Sequence, residues 1–258
     1  DLSNRIVKSN IDRIINSCQK YDLVIQSTFT GGFTRVNHLA HPDIEIRLHW
    51  IEWFKKFIDL TIALGASSMG SHFGIFTAKD DNDLKVREKR RQQNIDGWHH
   101  VGEYAAKKGL SFLSWEPMSI SREQGETIKE CARLNVDVNN GSPIPFKLCL
   151  DVDHGDLSSE DPRDTDPYAW IDVLSAETAQ LHLKQSSMDK SGHWPFVKQY
   201  NQIGKIKPEK IISSLKKNNV DDMDLIFEFS FRERQPADSN VIPHLVESAN
   251  YWRSYISD

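Results

Sequence analysis

The chain has 258 residues, of which 38% are hydrophobic and 10% aromatic, so it can bury a substantial core. Its net charge of -5 does not favour a nucleic-acid partner, which would need clustered excess lysine and arginine. No apolar run approaches the roughly 20 residues that cross a bilayer, so we expect a soluble protein without a membrane partner.

Helical and strand-like patterns alternate along the chain. An apolar residue every three or four positions indicates a helix, and a short β-rich apolar run indicates a strand. The predicted helices cover residues 6–18, 46–64, 84–108, 122–134, 167–174, 207–218 and 242–256. The predicted strands cover residues 22–28, 67–74, 110–117, 145–155, 178–185 and 223–231. This alternation predicts an α/β protein with a parallel sheet, open or closed into a barrel.

The strand count points to a barrel that is incomplete at its start. Six strands are predicted after the opening helix, whereas a closed barrel of this type has about eight. Because the chain begins inside a helix, we expect the first strand, first helix and second strand, on the order of 50 residues, to lie upstream. No linker or repeat divides the rest, so residues 1–258 are predicted to be a single (β/α)8 TIM-barrel domain lacking those elements.

The three cysteines are Cys18, Cys131 and Cys149. No pair has the close spacing of a zinc or redox motif. We therefore expect reduced structural thiols in a cytoplasmic protein.

Four consecutive predicted strands end in a side chain that can bind a metal. These residues are Glu116 in SWEP, Asp151 in LCLDVDHG, His182 in QLHLK and Glu228 in IFEFSF. In parallel barrels the carboxyl ends of the strands form the active site. An isolated charge beside the core would be costly, and a shared cation removes that cost for the three carboxylates.

Each of these residues has a structural alternative when it is taken alone. Glu116 could be an acid at a helix N-terminus, and Asp151 could cap the following loop. His182 could be a hydrogen-bonded core histidine, and Glu228 could pair with Arg232 or Arg234. All four alternatives would have to hold at the same level of neighbouring strands, so the joint pattern favours one divalent metal.

The predicted ligand set is rich in oxygen, with one imidazole and no thiolate. Such a set suits Mn²⁺, Mg²⁺ or Co²⁺ better than a structural zinc, and we expect Mn²⁺ first. Zn²⁺ stays open because carboxylate and histidine sites also hold it.

Further side chains are predicted to contact substrate at the same rim: His72, His154, Lys184 and Trp115. Lys184 lies two residues after His182, so both face the same side of a strand. Trp194 could join Trp115 in an apolar wall, although core packing is the default for tryptophan. Asp153 is expected to point outward and is left out of the ligand set.

The order Glu, Asp-x-x-His, His and Glu on successive strands resembles that of the xylose isomerase-like barrels. The likeness is to the sugar or sugar-phosphate isomerase and epimerase group that includes D-tagatose 3-epimerase, and it covers nearly the whole chain in strand order. Glu116, Asp151, His182 and Glu228 match the four metal ligands of that family. The resemblance further implies a substrate contact for His154 and a homo-oligomer.

The segment after the histidine strand departs from the family pattern. The family's epimerases often carry an arginine there, whereas this chain has Lys184 and Lys190. The segment is long enough to form a lid, and it resembles the erythrulose-phosphate branch of the family. These lysines, with Arg232 and Arg234, would suit a phosphate group.

Resemblance and residue chemistry together predict an isomerase or epimerase of a small ketose or ketose phosphate. The metal would act as a Lewis acid that stabilises an enediolate. Glu116 and Glu228 would remove and return the proton from opposite faces, which gives epimerisation. A single base that shuttles between adjacent carbons would give aldose–ketose isomerisation, and the sequence does not decide between the two.

Two other functions would fit parts of this residue pattern. A metal-dependent endonuclease resembling endonuclease IV could use His72, Asp151, His154, His182, His193 and Glu228. The strand before His72 lacks the further histidine of that site, and the basic excess for duplex DNA is missing. A non-catalytic barrel scaffold would be expected to lose at least one ligand, yet all four are present.

Overall fold

A computed structural model of the protein describes residues 4–233 and 235–256. The chain divides into two compact units, Asp1–Leu148 and Cys149–Asp258. Strand β4 (Phe146–Asp151) belongs partly to each, because the division falls between its third and fourth residues. Each unit is described by itself.

The first unit contains parallel strands that pair in chain order. These are β1 (Ser27–Phe29), β2 (Ser68–His72), β3 (Phe112–Glu116) and the first residues of β4. All five residues of β2 are buried, as expected for a strand of a parallel sheet covered on both faces. In register, His72 at the end of β2 lies beside Glu116 at the end of β3.

Five helices accompany these strands in the described part of the first unit: α1 (Asn4–Tyr21), α2 (Ile44–Ala63), α3 (Ala78–Asp81), α4 (Leu84–Lys108) and α5 (Ile128–Asn139). Local sequence explains the bounds of α4. The Asp83 side chain accepts hydrogen bonds from the backbone N–H groups of Lys85 and Val86, and Gly109 ends the helix at φ +89°.

Aromatic side chains form the core between helices and strands of the first unit. The rings of Phe54 and Trp98 are 4.7 Å apart, and those of Phe73 and Trp115 are 5.1 Å apart. The indole N–H of Trp98 donates to the backbone oxygen of Phe73 at 2.7 Å. This bond anchors α4 at the residue that follows β2.

The second unit repeats the alternation of strands and helices. Its elements are the last residues of β4, α6 (Pro167–Leu174), β5 (Thr178–Leu183), α7 (Lys198–Asn201), α8 (Pro208–Lys217), β6 (Asp224–Phe227) and α9 (Val241–Arg253). Strands β5 and β6 are parallel, and the backbone N–H of Val152 donates to the oxygen of His182 beside β4. Phe196 and Trp252 meet edge to face in the core, with ring centroids 5.2 Å apart.

Most predicted elements are confirmed, and helix 84–108 has the predicted bounds. The first strand is shorter than predicted, because β1 begins only at Ser27. Asp22 adopts a left-handed conformation after α1, and Leu23 and Val24 are exposed. The apolar run that suggested a strand from residue 22 therefore precedes the strand.

The helix predicted at residues 122–134 also begins later than expected. Gln124 and Gly125 have positive φ angles of 69° and 81°, which interrupt a helix. Helix α5 starts after Thr127, whose side chain accepts a hydrogen bond from the N–H of Glu130. A turn followed by a capped helix replaces the predicted continuous helix.

The cysteines are free thiols, and Cys131 and Cys149 are buried. Burial raises the pKa of Cys131 well above its usual value, so this thiol stays protonated and unreactive. These features agree with structural thiols. Among the described residues, no helix combines the length and apolar character needed to cross a membrane.

Gly155 offers a test of the loop that follows β4. Its φ is +127°, and an added Cβ would collide with the backbone oxygen of Asp164. We predict that Gly155→Ala lowers the free energy of unfolding by roughly 3 kcal/mol, measured by urea denaturation. Gly141→Ala is the matched control, with φ +72° but open space, and should cost about 1 kcal/mol. Equal losses would contradict the predicted collision.

Candidate metal centre

Three of the predicted ligands come together in the second unit. One ligand atom from each of Asp151, His182 and Glu228 lies within 4.8 Å of the others. Asp151 ends β4, His182 lies near the end of β5, and Glu228 directly follows β6. The backbone N–H of Glu228 donates to the oxygen of Leu183 at 3.0 Å, which holds Glu228 level with the end of β5. This cluster of carboxylate and imidazole groups could bind a divalent metal.

Lys184 lies among the same carboxylates and is fully buried. Its Nζ is 2.6 Å from Asp151 Oδ2 and 3.0 Å from Glu228 Oε2. The spacing of two residues along β5 places Lys184 and His182 on the same face, as predicted. The ion pairs of Lys184 with Asp151 and Glu228 have no signal in the sequence. A substrate contact for Lys184 stays a prediction.

The charges of the cluster stabilise one another. Burial alone would favour neutral Asp151, but its interactions with His154 and Lys184 outweigh burial and hold the pKa of Asp151 well below its usual range. Burial would likewise favour a neutral amine, yet Asp151 and Glu228 hold the pKa of Lys184 well above its usual value. Asp151 is therefore kept as a carboxylate, the form that binds a metal.

Two residues of the loop after β4 extend this cluster. His154 Nε2 lies 3.9 Å from Asp151 Oδ2. The expectation that Asp153 points outward is wrong, because its side chain is almost fully buried. Asp153 Oδ1 lies 2.6 Å from Lys205 Nζ, and Ser186 Oγ donates to Oδ2 at 2.8 Å. Lys205 and Ser186 therefore hold the Asp153 carboxylate, and its exclusion from the ligand set stays a prediction.

Hydrogen bonds hold both ends of the predicted lid segment, residues 185–206. Gln185 and Trp194 exchange two backbone hydrogen bonds, at 2.8 and 3.0 Å. The Gln185 side chain bonds to the backbone of Ile206, and the backbone N–H of Lys205 donates to Ser186. The rings of Trp194 and Tyr200 stack at 5.0 Å, so Trp194 packs within the segment itself.

His193 belongs to the cluster, although the preferred ligand set did not include it. Its Nε2 is 3.2 Å from Lys184 Nζ, and its Nδ1 is 3.6 Å from Glu228 Oε2. Burial and the neighbouring Lys184 charge lower the pKa of His193. The sequence indicates a role for His193 only in the endonuclease alternative. An irregular segment has no periodicity from which the position of a side chain could be predicted.

Two of the basic residues suggested for a phosphate, Lys190 and Arg232, are exposed. Arg232 is exposed, and its backbone forms hydrogen bonds with Pro236 and Asp238. Lys190 is exposed at the tip of the segment 185–206. Arg234 lies outside the described residues. A phosphate contact for these residues stays a prediction.

Glu116 ends β3 in the first unit and is 2% exposed. Its neighbour in register is His72, whose Nε2 lies 3.4 Å from Glu116 Oε2. The Asn37 side chain donates to the backbone oxygen of His72, and Thr34 Oγ1 lies 3.4 Å from His72 Nδ1. Thr34 Oγ1 donates to Thr30 Oγ1, which in turn donates to Ser71 Oγ in β2. Polar groups therefore support the His72–Glu116 pair.

Trp115 lies on the opposite face of β3 from its neighbour Glu116. Its ring packs against Phe73, and its indole N–H donates to Asn135 Oδ1 at 3.2 Å. These are the contacts of a core residue. A substrate contact for Trp115 stays a prediction.

The chain is similar to known proteins over nearly its whole length. The family described as xylose isomerase-like TIM barrel matches residues 2–254. A curated relative, D-erythrulose 1-phosphate 3-epimerase of Brucella abortus (strain 2308), is 40% identical over 253 residues, which cover 98% of this chain and 81% of the relative. The comparison thus extends over nearly all of the chain.

Solved structures agree with this fold. A xylose isomerase-like protein of Rhodospirillum rubrum ATCC 11170 has a TM-score of 0.83 and 25% identity, over 96% of this chain and 83% of its own. D-psicose 3-epimerase of Clostridium cellulolyticum H10, solved with D-tagatose, has a TM-score of 0.68 and 12% identity, over 96% and 84%. The second likeness supports the fold alone.

Lys184→Met tests the charge balance of the cluster. We predict that it lowers the free energy of unfolding by about 3 kcal/mol or more, because it leaves the buried Asp151 carboxylate without its ammonium partner. Lys217→Met is the control, since Lys217 pairs with Asp172 at the surface and should contribute less than about 1 kcal/mol. Urea denaturation with a chelator present measures both. Similar small losses would contradict a charge-balancing role for Lys184.

Proposed function

The chain belongs to the xylose isomerase-like TIM barrel family, and we propose that it is a divalent-metal-dependent 3-epimerase of a small ketose phosphate. The observation that carries the proposal is 40% identity to a D-erythrulose 1-phosphate 3-epimerase over 98% of the chain. The cluster of Asp151, His182 and Glu228 supports it with suitable chemistry. These relatives favour epimerisation over the endonuclease alternative.

The donor set fits a hard divalent cation. Carboxylate oxygens and one imidazole are ligands that Mn²⁺, Mg²⁺ and Co²⁺ accept, and no thiolate is present to favour a softer metal. We propose Asp151, His182 and Glu228 as ligands, with Glu116 as the fourth and Mn²⁺ as the metal. When bound, the cation would supply Lewis-acid polarisation of the substrate carbonyl.

The proposed reaction moves one proton at the carbon next to that carbonyl. One glutamate, Glu116 or Glu228, takes the proton from C3 as a general base, and the electron pair left behind forms an enediolate of the substrate. The other glutamate donates a proton to the opposite face of C3, which inverts the configuration. Substrate contacts from His72 and His154 remain part of the proposal, as does a homo-oligomeric assembly.

Proton exchange in D₂O tests this function. Purified protein supplied with Mn²⁺ should convert D-erythrulose 1-phosphate to its C3 epimer and introduce deuterium at C3, as followed by NMR. Deuterium at C1 without inversion at C3 would instead indicate aldose–ketose isomerisation. Metal analysis of the same sample should find about one divalent ion per chain. Three tightly held zinc ions and cleavage of abasic DNA would contradict the proposal.

Substitution of either glutamate tests the two-base mechanism. We predict that Glu116→Gln and Glu228→Gln each lower the epimerisation rate by at least about a hundredfold, because an amide cannot accept the C3 proton. Glu177→Gln is the control, since Glu177 is exposed at the start of β5, opposite the carboxyl end of that strand. Full activity in either active-site variant would refute the assignment.

A further inference from the structure

His193 has an unusual backbone conformation for its residue type. Its φ is +47°, in the left-handed region that residues other than glycine seldom occupy. Such a conformation costs roughly 1–3 kcal/mol and persists where surrounding contacts impose it. The position of this side chain is therefore determined by its neighbours.

Four hydrogen bonds impose that conformation. The backbone N–H of Ser230, just after β6, donates to the oxygen of His193 at 2.9 Å. Gly192 on one side donates from its N–H to Ser186 Oγ, and Trp194 on the other side bonds to Gln185. The backbone around His193 is thus held by hydrogen bonds both at the start of the segment 185–206 and at Ser230, two residues after Glu228.

A second layer of contacts holds Ser186 itself. Ser186 Oγ donates to Asp153 Oδ2, and Asp153 also pairs with Lys205 from the far end of the segment. Gly204 packs so closely on the Gln185 side chain that an added Cβ would overlap it. These contacts make the base of the segment a rigid support for His193.

The contacts of the imidazole determine which nitrogen carries its hydrogen. A lysine ammonium has three N–H donors and cannot accept, so Nε2 of His193, 3.2 Å from Lys184 Nζ, must be the acceptor. The hydrogen of the neutral ring then lies on Nδ1. That nitrogen faces Glu228 Oε2 at 3.6 Å. The imidazole also forms a hydrogen bond with the backbone of Glu228, so His193 contacts the main chain of this residue and lies close to its carboxylate.

We propose that His193 is a positioning residue for Glu228, acting through its hydrogen bond to the Glu228 backbone to hold the carboxylate in place. The proposal rests on the proposed role of Glu228 as a base. A small displacement of a catalytic base greatly lowers the rate of proton transfer. Substrate affinity depends on other groups. Loss of the imidazole should therefore lower kcat and leave KM nearly unchanged.

Two substitutions separate the imidazole from the backbone strain. His193→Gly removes the ring and tolerates φ +47°, so folding should be preserved. His193→Asn also tolerates this conformation, and its amide N–H can occupy the place of Nδ1–H. We expect kcat for epimerisation to fall at least about tenfold in the glycine variant and no more than roughly threefold in the asparagine variant.

The kinetic outcomes decide the role. KM and the dissociation constant for Mn²⁺ should stay within roughly threefold in both variants. Unchanged kcat in His193→Gly, or an equal loss in His193→Asn, would overturn the proposal. A rise in KM at constant kcat would do the same, since it would make His193 a substrate-binding residue.

A measurement that needs no activity tests the geometry in the unaltered protein. With ¹⁵N-labelled histidine and Mg²⁺ in place of paramagnetic Mn²⁺, NMR should find the His193 hydrogen on Nδ1. A hydrogen on Nε2 would overturn the proposal even if the protein epimerises its substrate. If the wild type epimerises no ketose phosphate, the proposed function fails, and the NMR result still decides whether His193 directs an N–H at Glu228.

Discussion

The pairing of buried carboxylates with a positive partner is the constraint on which this site depends. Asp151 is buried and charged, and charged groups leave water only at a large cost unless they are compensated. Lys184 compensates both Asp151 and Glu228 from the centre of the cluster. His182 lies near the end of β5 and Lys184 directly follows that strand, so one stretch of chain supplies both an imidazole and the counter-charge.

The two glutamates of the proposed mechanism each have a histidine neighbour. His72 lies beside Glu116 through the register of β2 and β3, so regular strand pairing creates that contact. His193 lies beside Glu228 through an irregular segment held by side-chain and backbone hydrogen bonds. A histidine thus lies beside a glutamate in each unit, through regular strand pairing in the first unit and through an irregular segment in the second.

This difference explains how much of the site could be predicted from the sequence. Glu116, Asp151, His182 and Glu228 follow apolar runs, which place them near strand ends, although β4 and β6 end four residues earlier than predicted. The Asp153–Lys205 pair and the place of His193 depend on contacts between residues far apart in an irregular segment, which leave no periodic signal. Residues 22–26 look like a strand in composition, but β1 pairs with β2 only from Ser27 onward.

The role of Lys184 in the charge balance has a consequence for redesigning the metal preference of such a site. At the proposed metal site, replacing Asp151 or Glu228 with a neutral residue such as histidine removes a negative charge and also a partner of a buried ammonium. The surplus positive charge would then oppose the incoming cation. Ligand exchange in this scaffold therefore has to be made together with a neutral substitution at Lys184.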